Sequence, residues 1–463
     1  MKRISLFISM ILFCFMVLPL HADGSYTFDD LEKAMFANNT ELRGLQEELN
    51  RSLLDVKDAK ANRWPTIDVG ISATYMANPP VGPIVLDPDE LMGMFDWPSG
   101  MRPTMTGDYV SLYEGMESTQ YQFDVTITQP LFTWGKINTS IDLYNNLAKA
   151  KTLEISERRQ RLTHELTASL DGWYYLTNMS TYLNKQRVAA TRLIELTTQA
   201  FENGFVLEID VYKANVEIAE LDVALAQVEH ERQKILIQLR TLTGLDTLDG
   251  SEIQHRANRE SYRQLLEQDI AALTQQSTAA YRPAIAALSI MEQAAKLGVR
   301  LSKSSLYWKP DIALVTSIGY GGSRFPFIEK DWYRQNDYSF NVSIGIKSTV
   351  WDGGKILNDI ARSQSNQSTA SIEASKAKQH IVRTIEEQYS ALGLALTTAD
   401  WHASRIVMLT EAQQIEQQIF DSGYGEETNV LTSIIDVLTA QVAYERSLLE
   451  AAICYHTIKA LVD

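Results

Sequence analysis

Apolar and polar positions repeat with two different periods along this chain, and the two periods divide it into strands and helices. Ile67, Val69, Ile71, Ala73 and Tyr75 share one side of an extended segment, while Thr66, Asp68, Gly70, Ser72 and Thr74 share the other. A second segment sets Tyr121, Phe123, Val125 and Ile127 against Gln122, Asp124, Thr126 and Thr128. A third follows Pro310 and alternates less cleanly, with Val315 on its polar side. The fourth sets Tyr338, Phe340, Val342, Ile344 and Ile346 against Ser339, Asn341, Ser343 and Lys347. A period of two predicts a strand with one apolar face. Strands of about 9–11 residues with this pattern fit a lipid-facing barrel wall, and they equally fit a half-buried soluble sheet.

The remaining periodicity is helical. Gly135 to Asn203 contains no proline, and Ile141, Ala148, Ile155, Leu162, Leu176, Leu183 and Ala190 keep a seven-residue spacing. That is coiled-coil periodicity in a helix of roughly 100 Å. A second long helix is predicted from Ile356 to Ser422, with small residues at Ala361, Ala370, Ala374, Ala377, Ala391 and Ala395 that permit close packing. Shorter helices are predicted at Asp210–Gly244, Tyr262–Ser302, Asn429–Val462 and Thr27–Asn62. Two of them laid end to end match each long helix.

The pattern occurs twice. "RWPTIDVGISATY" at 63–75 matches "WKPDIALVTSIGY" at 308–320, aligning Pro65 with Pro310 at an offset of 245. Gly135-Lys136-Ile137 matches Gly354-Lys355-Ile356 at an offset of 219, and "FENGFVLEIDV" at 201–211 matches "FDSGYGEETNV" at 420–430 at the same offset. The change of 26 residues places a longer loop at 76–119 than at 321–337. With Pro79, Pro80, Pro83, Pro88, Pro98 and Pro103, that loop reads as too proline-rich for a helix and is expected outside the cell. The expected organisation is a leader at 1–22, a first repeat at 23–250 and a second at 251–463, each running helix, strand, loop, strand, long helix, turn, helix.

Composition narrows the class. Lys2 and Arg3, an apolar run from Ile4 to Leu20 and a small residue at Ala22 predict a secretory leader. Phe13 before Cys14 does not fit a lipidation signal. The formal charge is -16, which argues against nucleic acid as a partner. Cys454 is the single cysteine after the leader, so no disulfide and no cysteine-rich metal site is expected within one chain. The seven histidines are scattered without metal-ligand spacing, and Gly354-Lys355 is followed by Ile356 rather than the residue a phosphate loop requires. Gly319, Gly321 and Gly322 read as a strand exit. No catalytic residue, cofactor or metal is expected, and the chain does not read as an enzyme.

The doubled strand entries at Pro65 and Pro310, the strand exits "PLFTWGK" and "TVWDGGK", and the two turn motifs together resemble the TolC family of outer-membrane efflux proteins over about residues 26–462. The resemblance implies an α+β fold: mostly long antiparallel helices forming a periplasmic barrel, with four transmembrane strands per protomer. Those strands would contribute to a trimeric twelve-stranded β-barrel in the outer membrane. Four strands cannot close a barrel alone, and an open edge in lipid leaves backbone groups unpaired. The resemblance further implies a homotrimer in outer-membrane lipid, partnered by a periplasmic adaptor protein and an inner-membrane RND or ABC transporter. The family's docking tips map onto Phe201, Gly204, Asp210 and Val211, and onto Phe420, Gly423, Asn429 and Val430. Where relatives often carry acids at the entrance, this chain has Asn429 and Thr432, with Glu426, Glu427 and Asp436 nearby as candidate entrance residues. Pro65, Pro130, Gly135, Pro310, Gly353 and Gly354 are the candidate strand–helix junctions. The competing function is an exported periplasmic coiled-coil scaffold without transport activity, which would account for the helices and leader but not for four paired strands.

Overall fold

The computed structural model describes residues 25–104, 107–330, 333 and 335–463. The leader predicted at 1–22 lies outside the described residues. In chain order the helices are α1 (Phe28–Asn38), α2 (Thr40–Ala61), α3 (Pro88–Gly93), α4 (Lys136–Glu202), α5 (Glu208–Thr243), α6 (Arg259–Leu266), α7 (Ile270–Ser277), α8 (Pro283–Lys303), α9 (Lys355–Asp421) and α10 (Glu427–Val462). The strands are β1 (Thr66–Tyr75), β2 (Ile84–Leu86), β3 (Val110–Tyr113), β4 (Thr119–Phe132), β5 (Asp311–Gly322) and β6 (Tyr338–Lys347). Among the described residues no helix is long and apolar enough to cross a membrane.

The chain divides into two units that each draw on both repeats. One comprises Leu53–Asn146 and Gln293–Ser368. Its centre is a four-stranded antiparallel sheet ordered β1-β4-β5-β6. Register fixes the faces: Val69 opposes Val125, Val125 opposes Ile318, and Ile318 opposes Phe340. On the other face Asp68 opposes Thr126, Thr126 opposes Ser317, and Ser317 opposes Asn341. A one-residue slip would exchange these faces, so the alternating sequence pins the register. Val315 falls on the polar face, as the sequence indicated, opposite Thr128 and Ser343. On the edge strands the apolar face is bare: Ile67, Val69, Ile71, Tyr75, Phe340, Val342, Ile344 and Ile346 are 58–75% exposed.

The loop after β1 departs from expectation. It contains α3 and a small β2–β3 sheet, so its prolines do not exclude a helix. Pro88 occupies the first helical turn, where its missing N–H costs nothing, and the Asp87 carboxylate accepts from Asp89 N–H at 2.9 Å.

The other unit comprises residues 25–52, Leu147–Glu292 and Thr369–Asp463. Four of its helices pack side by side. Leu176, Met179 and Leu183 of α4 pack against Val228 of α5 on one side and Val442 of α10 on the other. Leu392, Ala395, Leu396 and Ala399 of α9 pack against Leu448, Ala451 and Ala452 of α10. These contacts pair α5 with α4, α4 with α10 and α10 with α9; α6 also reaches α9, with Arg263 pairing Asp400 and the Tyr389 hydroxyl donating to Leu266 O at 2.8 Å. All seven heptad residues from Ile141 to Ala190 are buried. On α9, Ala374 and Ala395 are buried, whereas Ala361 is exposed within one chain.

Two predicted helices are broken. The segment expected from Thr27 to Asn62 stops at Asn39, whose backbone (φ -58, ψ 118) leaves the helical region. Asn39 Oδ1 accepts from Leu42 N–H at 3.1 Å and its Nδ2 donates to Leu242 O at 3.2 Å, so one side chain starts α2 and closes the end of α5. The segment expected from Tyr262 to Ser302 is three helices. Asp269 caps α7 through Ala271 N–H at 3.1 Å, and Pro283 opens α8.

Candidate functional site

Both long helices end in the same turn. After α4, Gly204 N–H donates to Phe201 O at 2.9 Å and Phe205 N–H to Ala200 O at 2.8 Å; after α9, Gly423 N–H donates to Phe420 O at 2.9 Å and Tyr424 N–H to Ile419 O at 3.2 Å. This paired pattern closes a helix on a left-handed residue, and Gly204 (φ 76) and Gly423 (φ 81) supply it. The next helix also starts alike, with Asp210 N–H on Leu207 O and Asn429 N–H on Glu426 O. Asp210 adds a side-chain bond from Leu207 N–H at 3.3 Å, a cap that Asn429 does not reproduce among the described contacts. Val211 is half-buried and Val430 buried, anchoring the turns from within. Their outer residues are apolar and bare: Phe205 is 82% and Tyr424 92% exposed, and Phe201 and Phe420 project beside them.

The acids near the second turn have separate surroundings. Glu426 is exposed and accepts from Thr428 Oγ1 at 3.2 Å. Glu427 is bound to Arg192 of α4 at 2.9 Å, and that guanidinium holds its carboxyl below the ordinary range. Thr432 and Asp436 line an open groove of about 990 Å³, together with Glu217, Glu220, Arg446 and Glu450.

The strand–helix junctions lie in the sheet-bearing unit. Pro130 sits in β4 opposite Ala313, beside a bulge that ends the regular pairing. Beyond it the chain turns through two left-handed residues, Trp134 (φ 52) and Gly135 (φ 79); the second junction uses Gly353 (φ 71) and Gly354 (φ 89). A left-handed residue with a side chain costs roughly 1–2 kcal/mol. Trp134 offsets this through an indole N–H bond to Pro310 O at 2.9 Å and an edge-on contact with Trp308. Lys136 then pairs with Asp311 at 2.7 Å. At the second junction the Asp352 carboxylate accepts from Gly354 and Ile356 N–H and from Tyr307 hydroxyl at 2.8–3.0 Å. Pro65 precedes β1 directly. Trp64, Trp134, Trp308 and Trp351 thus flank the same end of all four sheet strands, each exposed.

One polar centre was not legible in the sequence. Asp171 of α4 is 3% exposed and accepts from His255 at 2.5 Å, Tyr262 hydroxyl at 2.6 Å and His456 at 2.7 Å. Burial alone would raise the Asp171 carboxyl, but the bonds from His255, His456 and Tyr262 outweigh it and hold the group at about 2. This centre ties α4 to α6, α10 and the connector before α6. It contains no arrangement suited to a metal, and none occurs among the described residues.

The sequence matches the family model for outer membrane efflux proteins over residues 33–245. It is 20% identical to the outer membrane protein TolC of Escherichia coli (strain K12) over 348 residues, covering 74% of this chain and 68% of that one. The fold is similar to the CmeC outer membrane channel of Campylobacter jejuni (TM-score 0.70, 14% identity, covering 94% of this chain and 85% of that one). It is also similar to the outer membrane protein VceC of Vibrio cholerae (TM-score 0.68, 14% identity, 94% and 96%). These relatives are channels rather than enzymes. In sequence and fold the chain resembles the TolC-like outer membrane efflux proteins, a likeness that supports an outer-membrane exit duct extending into the periplasm.

Proposed function

We propose that three copies assemble into one twelve-stranded barrel and a helical tunnel, and that this tunnel is the exit duct of a tripartite efflux or type I secretion system. A periplasmic adaptor and an inner-membrane RND or ABC transporter deliver solutes or proteins to it. The observation that carries this reading is the sheet: four strands, two free edges at β1 and β6, and an apolar face bare on both edge strands. In water each such side chain forgoes roughly 1.5–3 kcal/mol of burial, and the free edges invite further pairing. Sharing one barrel in lipid satisfies both. The four tryptophans at one strand end suit the membrane–water interface, where amphipathic rings collect.

The two glycine turns are the adaptor-docking tips in this proposal, with Phe201, Phe205, Phe420 and Tyr424 as their contact residues. Glu426, Glu427, Thr432 and Asp436 border the tunnel entrance. We also read 23–250 and 251–463 as copies of one ancestral unit, supported by the matching glycine turns and the Gly135 and Gly354 junctions at one offset of 219. A periplasmic scaffold would leave the apolar sheet face in water. Native mass measurement of the detergent-extracted protein tests the assembly: three chains are expected, and a lone chain with intact sheet signal would refute it.

A further inference from the structure

The last turns of α10 have two faces. Leu448, Ala451, Ala452 and Ile458 cluster with Tyr262 and Leu265 of α6 and Leu273 of α7. Ile453, Thr457 and Ala460 fall on the opposite side by the 3.6-residue period. They line a cleft of about 360 Å³ flanked by Ala168 of α4 and Ile381 of α9, and its walls are mainly apolar. That volume lies within the range of small-molecule sites, about 300–1,000 Å³. Three imidazoles also line it: His164 of α4, His380 of α9 and His456 of α10. The ionic side chains beside them are already engaged. Arg161 binds Glu157 at 2.8 Å, and Glu165 binds Arg158 at 2.6 Å.

The His456 ring shows what the cleft lacks. Asp171, held at about 2, is ionised at neutral pH and can only accept, so His456 donates to it from Nε2 at 2.7 Å. In the neutral ring Nδ1 is then a lone-pair acceptor, and it is buried with no partner. A buried acceptor left unpaired is costly, and a ligand hydroxyl would satisfy it. Burial also keeps the His164 imidazole neutral at pH 7, against the pull of Asp463. We infer that this cleft binds a small uncharged phenol, its ring against Ile381 and Ile453 and its hydroxyl turned to the His456 ring. A charged head would find no counter-charge, because Arg161 and Glu165 already have partners. Asp436 and Arg446 of the larger groove lie on the same side of α10 as Ile453 and Thr457. Within the duct proposed above, a reading on which this step rests, the cleft is therefore a station in the tunnel wall, and phenols are a class of solute that the tunnel carries.

Fluorine NMR of the detergent-extracted protein titrated with para-fluorophenol tests this, with empty micelles as the reference for partition into detergent. One saturable site per chain is expected. Ile453→Trp, at a residue 54% exposed, fills the cleft without crowding the core. It is expected to weaken binding by roughly tenfold or more, as is Ala460→Phe on the same face. The probe para-fluorotoluene has nearly the same size but no hydroxyl. It is expected to bind by roughly tenfold or more less tightly, because it leaves His456 Nδ1 unpaired. Equal affinity for the two probes overturns the phenol class and leaves an apolar groove only. Undiminished binding by both filled variants places the site elsewhere and overturns the cleft. No saturable binding by protein that still conducts in planar bilayers overturns the inference and leaves the channel standing. No binding by protein that also fails to conduct refutes both.

Discussion

Replacing Asp171 by asparagine removes the charge at the buried centre while preserving its shape. The carboxyl group moves from its ordinary 3.8 to about 2 in the folded chain. Each unit is worth about 1.4 kcal/mol, so the ionised form contributes roughly 2.5 kcal/mol to stability at neutral pH. Because the folded value is depressed, this contribution is complete above the unfolded value of 3.8 and is lost as pH falls through about 2. Asparagine also turns an NH₂ group toward one of three donors that now share a carboxylate, His255, Tyr262 and His456, leaving a buried donor unpaired. For a chain of 463 residues, 2.5 kcal/mol lowers the melting temperature by about 2–3 °C. Thermal scans of the detergent-extracted protein at matched rates, taken at several pH values, measure this. The wild type should lose its advantage over Asp171→Asn between about pH 4 and pH 2. A gap that is absent at pH 7, or that stays constant down to pH 2, refutes the assignment of stability to this carboxylate.

Three further outcomes follow. Residues 76–119 should be cleaved by added protease on intact cells, because the loop joins β1 to β4 at the strand ends away from the four tryptophans; cleavage only after envelope rupture would reverse the topology. Gly204→Arg and Gly423→Arg should each leave assembly and insertion intact but abolish export and adaptor crosslinking. A Cβ there meets no atom within 4 Å, so the main cost to the fold is the backbone cost of roughly 1–2 kcal/mol while the docking face gains bulk; normal export by both variants would place the partner elsewhere. Glu426→Gln with Glu427→Gln should reduce cation preference in planar bilayers, and unchanged selectivity would remove both acids from the lining.

The sequence made legible whatever rests on period and on repetition. The seven-residue spacing from Ile141 to Ala190 names buried positions, and the alternation at 66–75 and 338–347 gives both strand bounds. The glycine turns are readable because a left-handed helix stop admits few residues. Helix breaks were harder. Asn39 looks like an ordinary helical position until its amide is seen to reach Leu242 O, a contact 203 residues away. Asp269 and Pro283 were stop signals that a helical period of similar composition on both sides concealed. The Asp171 centre joins residues 84, 91 and 285 positions apart, so no local spacing marks it. Trp134 shows the limit from the other side: its left-handed backbone is held by Pro310 and Trp308, which lead into the neighbouring strand β5, whereas the matching Gly353 carries no side chain to strain.

An exit channel must conduct when purified. Reconstituted from detergent into planar bilayers without any partner, it should give discrete, long-lived conductance steps. Bilayers that stay silent with protein shown to be inserted would contradict the reading of this chain as an exit channel.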